Sequence, residues 1–301
     1  MGEALNQAPR GSTIREILIF FLLLLASMLA GSLINSLLLD SLGLDAGEMM
    51  RNSESIRVNL SVVKISLMIM HFFSFLLPAL LFSWILHRAE SMKFFKLQRS
   101  ISMLGFVIAT IILLLSIPLI QYTYEWNQQL PLPEWMTRME TEANETLISI
   151  IRMNSPWEWV VNLLLIAALP ALGEELVFRG IIQQYGYRLF KNKHVGVWIS
   201  ALLFSAIHMQ FEGFIPRFLL GLLLGYLFLW TANLWFPIFV HFINNAIMVT
   251  LAFFIPEEDL NLDRLGPEEI PLYAVIGSLI VLVPAVHFFK RNFTSSENMY
   301  S

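Results

Sequence analysis

The chain of 301 residues is 56% hydrophobic and only 14% charged, with a mean hydropathy of +0.66. A soluble domain carries about 25% charged residues, so the composition excludes a soluble globule, and the net charge of −4 offers no basic surface to nucleic acid. The absence of cysteine excludes disulfides, thiol nucleophiles and thiolate metal sites.

A bilayer crossing needs about 20 mainly apolar residues. Eight segments fit, at about 17–39, 59–87, 101–121, 157–185, 195–209, 215–232, 235–255 and 271–289. The expected fold is therefore an all-α membrane protein, a bundle of about eight transmembrane helices. The first stretch, from Ile17, is long for a signal peptide and lacks a small-residue cleavage site, so it reads as a retained helix. Basic residues follow the second span (Arg88, Lys93, Lys96, Arg99), the fourth (Arg188, Lys191, Lys193) and the eighth (Lys290, Arg291). The alternate connections are acidic: Asp40, Asp45 and Glu48; Glu125, Glu134, Glu140, Glu142 and Glu145; Glu257, Glu258, Asp259, Glu268 and Glu269. This alternation places both termini in the cytoplasm.

Three regions are expected: 1–156, with N-terminal membrane helices and an outer amphipathic loop; 157–250, a catalytic core; and 251–301, with the last loop, eighth helix and tail. Within Tyr122–Pro156, the spacing of Met136, Met139, Leu147 and Ile151 predicts an amphipathic helix in the outer interface. KFFKLQR, residues 93–99, reads as an inner-surface segment. Gly221 and Gly225 form a small-xxx-small pair suited to close helix packing. Lys64 is placed near the outer end of its span, where it can snorkel. His71 lies mid-span and is the one rival site residue, with packing favoured over chemistry.

Polar groups inside the fourth, fifth and seventh spans carry the functional reading, because intramembrane ionisable residues are costly. Glu175 and Arg179 are four apart and can pair on one helix face, which turns Glu174 elsewhere. Glu174 is then available as a general base. His208 closes FSAIH. His241 and Asn245 again stand four apart, where an imidazole and a carboxamide could serve one oxyanion. Counting about 1.5 Å per residue from the basic ends puts Glu174 roughly 21 Å deep and His208 roughly 20 Å. The same count puts His241 at only about 9 Å and Asn245 at about 15 Å. Taken singly, each admits a structural reading: a buried ion-pair lock, a packing histidine, an interhelical hydrogen bond.

The sequence lacks HExxH, GxSxG, GxxxxGKS and a pair of intramembrane aspartates. A carboxylate and histidine that activate water, with a second histidine and an amide for the oxyanion, suit hydrolysis of an acyl bond. EExxxR at 174–179, FxxxH at 204–208 and HxxxN at 241–245, in that order, resemble the three motifs of the CAAX protease and bacteriocin-processing family. The resemblance covers about residues 157–250. It implies an eight-helix bundle and a glutamate-type intramembrane peptidase. By it, Glu174 and His208 activate water, His241 and Asn245 hold the oxyanion, and Glu175 and Arg179 support them. No cofactor is expected; the alternative is catalytic zinc on Glu174, His208 and His241.

The expected partners are the lipid bilayer and a peptide or protein substrate. The expected setting is a bacterial cytoplasmic membrane, with bacteriocin-type maturation or self-immunity as the biological role. Two other readings stand beside the peptidase. One is a non-catalytic peptide-binding immunity or scaffold protein. The other is a small proton-coupled transporter, disfavoured by the lack of an evident inverted repeat.

Overall fold

The computed structural model describes residues 10–45, 56, 58–255 and 270–295. All regular structure among them is helical. In chain order, α1 is Arg10–Ser41 and α2 runs from Leu60–His71 through a π-helical turn, Phe72–Leu76, into Leu77–His87. Then come α3, Met103–Gln128; α4, Glu134–Ile151; and α5, Pro156–Phe190. The last four are α6, Lys193–Ala206; α7, Phe214–Thr231; α8, Trp235–Phe254; and α9, Leu272–Phe293. Seven of these are long and apolar enough to cross a membrane, and the 14-residue α6 is the shorter eighth apolar helix. The protein is thus an integral membrane protein of about eight membrane helices. The acidic residues Glu48, Glu257, Glu258, Asp259, Glu268 and Glu269 lie outside the described residues.

The centre of the bundle is α5. Half of its most apolar stretch is buried by protein, against 11% for α9 and 17% for α1. Leucines 18, 22, 25, 29 and 33 of α1 remain exposed, as suits a lipid-facing helix. One side of α5 packs on α1 and the π turn of α2; the other packs on α6 and α8. Helix α3 packs between α7, α8 and α9.

Helix α5 is irregular at two places. Leu163–Ala168 and Phe178–Gln183 are both π-helical, and they bracket the regular segment Leu169–Val177 that carries Glu174 and Glu175. Single π turns inside helices are frequent at functional sites. They leave carbonyls to be satisfied by neighbours. Ser200 on α6 donates to the Phe178 carbonyl at 2.8 Å. Pro170 supplies no N–H to the carbonyl four residues back, and Asn245 Nδ2 donates to that carbonyl, Ile166, at 3.1 Å instead.

The Gly221 and Gly225 pair does bring helices close. A Cβ at Gly221 would stand 3.1 Å from the Ala201 Cα. The bare backbone also exposes two carbonyls one turn apart. Arg179 donates to Gly221 O at 2.9 Å and Gln183 to Gly225 O at 3.0 Å.

The 93–99 segment leaves Lys93 and Gln98 exposed and buries Phe94 and Phe95 in the main core. Behind them the backbone crosses the end of the bundle as a strap. Leu234 N donates to Lys96 O at 3.4 Å, Trp235 Nε1 to Leu97 O at 2.9 Å, and Asn233 Nδ2 to Ser100 O at 3.2 Å. Lys64 does not snorkel: it is 6% exposed, with Glu158 as its electrostatic partner. The amphipathic helix forms as expected, with Met136, Met139 and Leu147 partly buried and Ile151 fully so.

Candidate active site

The pair expected from i,i+4 spacing forms. Arg179 Nη1 donates to Glu175 Oε1 at 2.6 Å, with both side chains fully buried. The Arg179 guanidinium also lies over the Phe204 ring, 4.7 Å from its centroid. The same Glu175 oxygen takes a second partner, His241 Nδ1, at 2.9 Å. One carboxylate therefore joins α5 to α8. Glu175 Oε2 and Arg179 Nε stay buried without hydrogen-bond partners.

Glu174, one residue earlier and rotated by about 100°, has a different setting. It is 6% exposed, and its Oε2 is buried with no hydrogen-bond partner. Its electrostatic neighbours are His241, Glu175, Arg179 and Arg217. A carboxyl oxygen excluded from solvent and left unpaired is costly. Such a group in a native fold calls for an explanation in function.

His208 lies beyond the end of α6, which stops at Ala206. It is in a turn rather than on the helix expected through 209. The next residue, Met209, has φ of 53°, a left-handed conformation that ends the helix decisively. The ring folds back so that Nδ1 lies 2.8 Å from the Phe204 carbonyl. A carbonyl only accepts, so Nδ1 carries the hydrogen and Nε2 of the neutral ring keeps its lone pair. His208 can therefore accept a proton at Nε2. The electrostatic neighbours of this imidazole include Arg217, His241 and His71.

For His241 the argument runs differently. The Glu175 oxygen that accepts from Arg179 also faces His241 Nδ1, so Nδ1 is the donor. Nε2 of His241 can donate to an oxyanion only in the imidazolium form. Asn245 has one N–H committed to Ile166 O, and its Oδ1 accepts from Asn244 Nδ2 at 3.0 Å. The other N–H of Asn245 remains available.

The shallow depth counted for His241 also has a physical cause. Helix α8 does not start at the bundle surface. Ala232, Asn233 and Leu234 are 1%, 2% and 0% exposed, covered by the 94–100 strap. Counting from Trp235 thus starts below the surface, and His241 reaches the level of Glu175.

His71, the rival site residue, has a buried Nε2 with no partner, and that atom would lie 3.1 Å from a Cβ at Gly173. It neighbours both His208 and His241. Arg217 had not been singled out, although an arginine in the first turn of an apolar helix was a visible signal. It donates to Gln210 Oε1 at 2.7 Å and neighbours both Glu174 and His208.

Zinc needs nitrogen and oxygen donors within about 2.0–2.2 Å of one point, and among the described residues no three His, Asp or Glu side chains are grouped that closely. The Nδ1 atoms of His208 and His241 are engaged by Phe204 O and Glu175, which is also how a metal-ligating histidine is oriented when it binds through Nε2.

In a comparison with known proteins, residues 156–247 match the Rce1-like family, described as type II CAAX prenyl endopeptidase Rce1-like. The matched segment contains Glu174, Glu175, Arg179, His208, Arg217, His241 and Asn245. The uncharacterized protein YpbD of Bacillus subtilis (strain 168) is 32% identical over 92 residues, which are 29% of this chain and 44% of YpbD. The chain thus spans less than half the length of the curated relative it matches. No solved structure matches it. The matched residues run from the start of α5 into α8 of the membrane-helix bundle.

Proposed function

We propose that the protein is an intramembrane endopeptidase that hydrolyses a peptide bond of a membrane-associated peptide or protein. One observation carries the reading: Glu174 keeps a buried, unpaired carboxyl oxygen beside a second carboxylate that is tied to Arg179 and His241. Water is activated by Glu174 together with the free Nε2 of His208. Its oxygen attacks the scissile carbonyl carbon while its proton passes to this pair. The tetrahedral oxyanion faces the His241 imidazolium and the remaining Asn245 N–H. The C–N bond then breaks as the captured proton moves to the leaving amine. Glu175 and Arg179 hold His241 in place. No step uses a metal. The proposed setting is a bacterial cytoplasmic membrane, and the alternation of basic and acidic loops supports an orientation with both termini inside.

The test uses purified protein in liposomes with membrane-tethered peptides, read by mass spectrometry. Wild type should cleave, and Glu174→Ala and His208→Ala should each lower kcat by about 10²–10⁴, the span of general acid–base catalysis. Full cleavage by a folded Glu174→Ala protein removes the proposed base. A wild type that binds peptides without cutting them points instead to an immunity or scaffold role.

A further inference from the structure

The loop that presents His208 is held by two side chains outside the Rce1-like segment. Residues 207–213 join α6 to α7. Within this loop, Phe211 and Glu212 have both sides of their peptide groups engaged. Glu140 Oε2, on the outer helix α4, accepts from Phe211 N at 2.7 Å and from Glu212 N at 3.4 Å. Asn127 Nδ2, near the end of α3, donates to Phe211 O at 2.6 Å and to Glu212 O at 2.7 Å. Asn127 and Glu140 are 4% and 5% exposed. A buried carboxylate that accepts two backbone N–H groups is among the stronger hydrogen-bonding arrangements. Trp135 closes the contact edge-on against Phe211, with ring centroids 5.5 Å apart.

Glu140 and Asn127 thus read backbone, not side chains, and they do so three and four residues after His208. Helix α6 stops at Ala206, and its last turn holds the near side of His208: Phe204 O accepts from Nδ1, the Phe204 ring lies edge-on with centroids 5.3 Å apart, and Ser205 O accepts from His208 N at 3.4 Å. The clamp on 211–212 holds the far side of the loop. We propose that Asn127 and Glu140 are positioning residues for His208, setting its imidazole towards Arg217 and His241, the two groups it shares as neighbours with Glu174. The proposal rests on the peptidase reading for its catalytic consequence, and on geometry alone for its structural one.

Full-length protein in liposomes provides the test, with Glu140→Ala, Glu140→Gln and Asn127→Ala. Backbone amide exchange is measured across 207–213, and His208 modification by diethyl pyrocarbonate is followed by mass spectrometry. Glu140→Ala and Asn127→Ala should each speed exchange and His208 modification at least threefold, with exchange across 169–177 unchanged. Glu140→Gln keeps one acceptor oxygen and should restore the wild-type pattern. In the cleavage assay, both alanine variants should lower kcat by about 10–100-fold with KM within about twofold, as expected from a misplacement near 1 Å. Unchanged His208 modification in both alanine variants overturns the proposal. So does loosening of the loop with no change in kcat. If wild type cleaves no peptide, the proposed function fails, and the exchange and modification data decide the clamp on their own.

Discussion

The surroundings of Glu175 and of Glu174 differ more than their adjacency suggests. Glu175 is fully buried, and one oxygen binds a guanidinium and an imidazole from two helices. Glu174 is also buried, but its Oε2 has neither cation nor N–H on it. The first arrangement neutralises charge and couples α5 to α8. The second holds a reactive group where solvent is scarce. Removing one partner from a buried pair leaves an uncompensated charge, whereas neutralising an unpaired carboxylate relieves a cost. Stability and activity should therefore separate between two neighbouring residues.

The strongest break in this comparison comes from Arg179→Met against Glu174→Gln. Arg179→Met should lose about 3–5 kcal/mol, read as a lower thermal midpoint in detergent. Glu174→Gln should melt at or above the wild-type temperature while losing cleavage. Equal destabilisation by the two would erase the distinction. A smaller effect is expected at Gly173, which carries the close approach of α2 to α5. An added Cβ would meet His71 Nε2 and Phe75 Cβ, each at 3.1 Å. Gly173→Ala should cost about 1–3 kcal/mol through overpacking, and His71→Ala should recover part of it in the double variant.

Asn245→Ala comes next. It removes one interhelical hydrogen bond, to Ile166 O, of the kind worth about 0.6 kcal/mol on average in membranes. It should also lower kcat by about 10²–10³ if the second N–H serves the oxyanion. A loss of stability without a loss of rate would assign Asn245 to the backbone alone.

The smallest effect concerns pH. Burial pushes the Glu140 carboxyl above the usual carboxylate range, and the Phe211 and Glu212 N–H groups oppose this only in part. Because the folded value is raised, the folded state retains a proton that the unfolded chain has released. The resulting stability is present below the ordinary carboxylate pKa, about 4.3, and is lost as pH rises through the raised value. Glu140→Gln does not titrate, so its thermal midpoint should gain on wild type as pH increases across that window. Parallel curves would show that Glu140 is not desolvated as its burial implies.

Much of the architecture was legible because membrane spans and i,i+4 pairs depend on local sequence. The α8 start at Trp235, the Glu175–Arg179 pair and the inward face of α4 all follow from spacing. What escaped depends on neighbours. The π turns of α5 answer to side chains on α6 and α8, not to composition. The true depth of His241 depends on a strap 130 or so residues earlier in the chain. Lys64 resembles a snorkelling lysine until Glu158 is placed beside it. The end of α6 before His208 shows only as the left-handed Met209, because FSAIHMQ has no glycine or proline to stop a helix.

The missing hydrogen at Pro170 reaches further than its own helix. Asparagine at 245 answers a vacancy that a ring closure at 170 creates, so the two positions, 75 residues apart, form one structural unit. In a lineage where another amino acid replaced this proline, the Ile166 carbonyl could find its donor locally, and the amide of α8 would be released from that duty. Drift at one position should then leave a matching trace at the other.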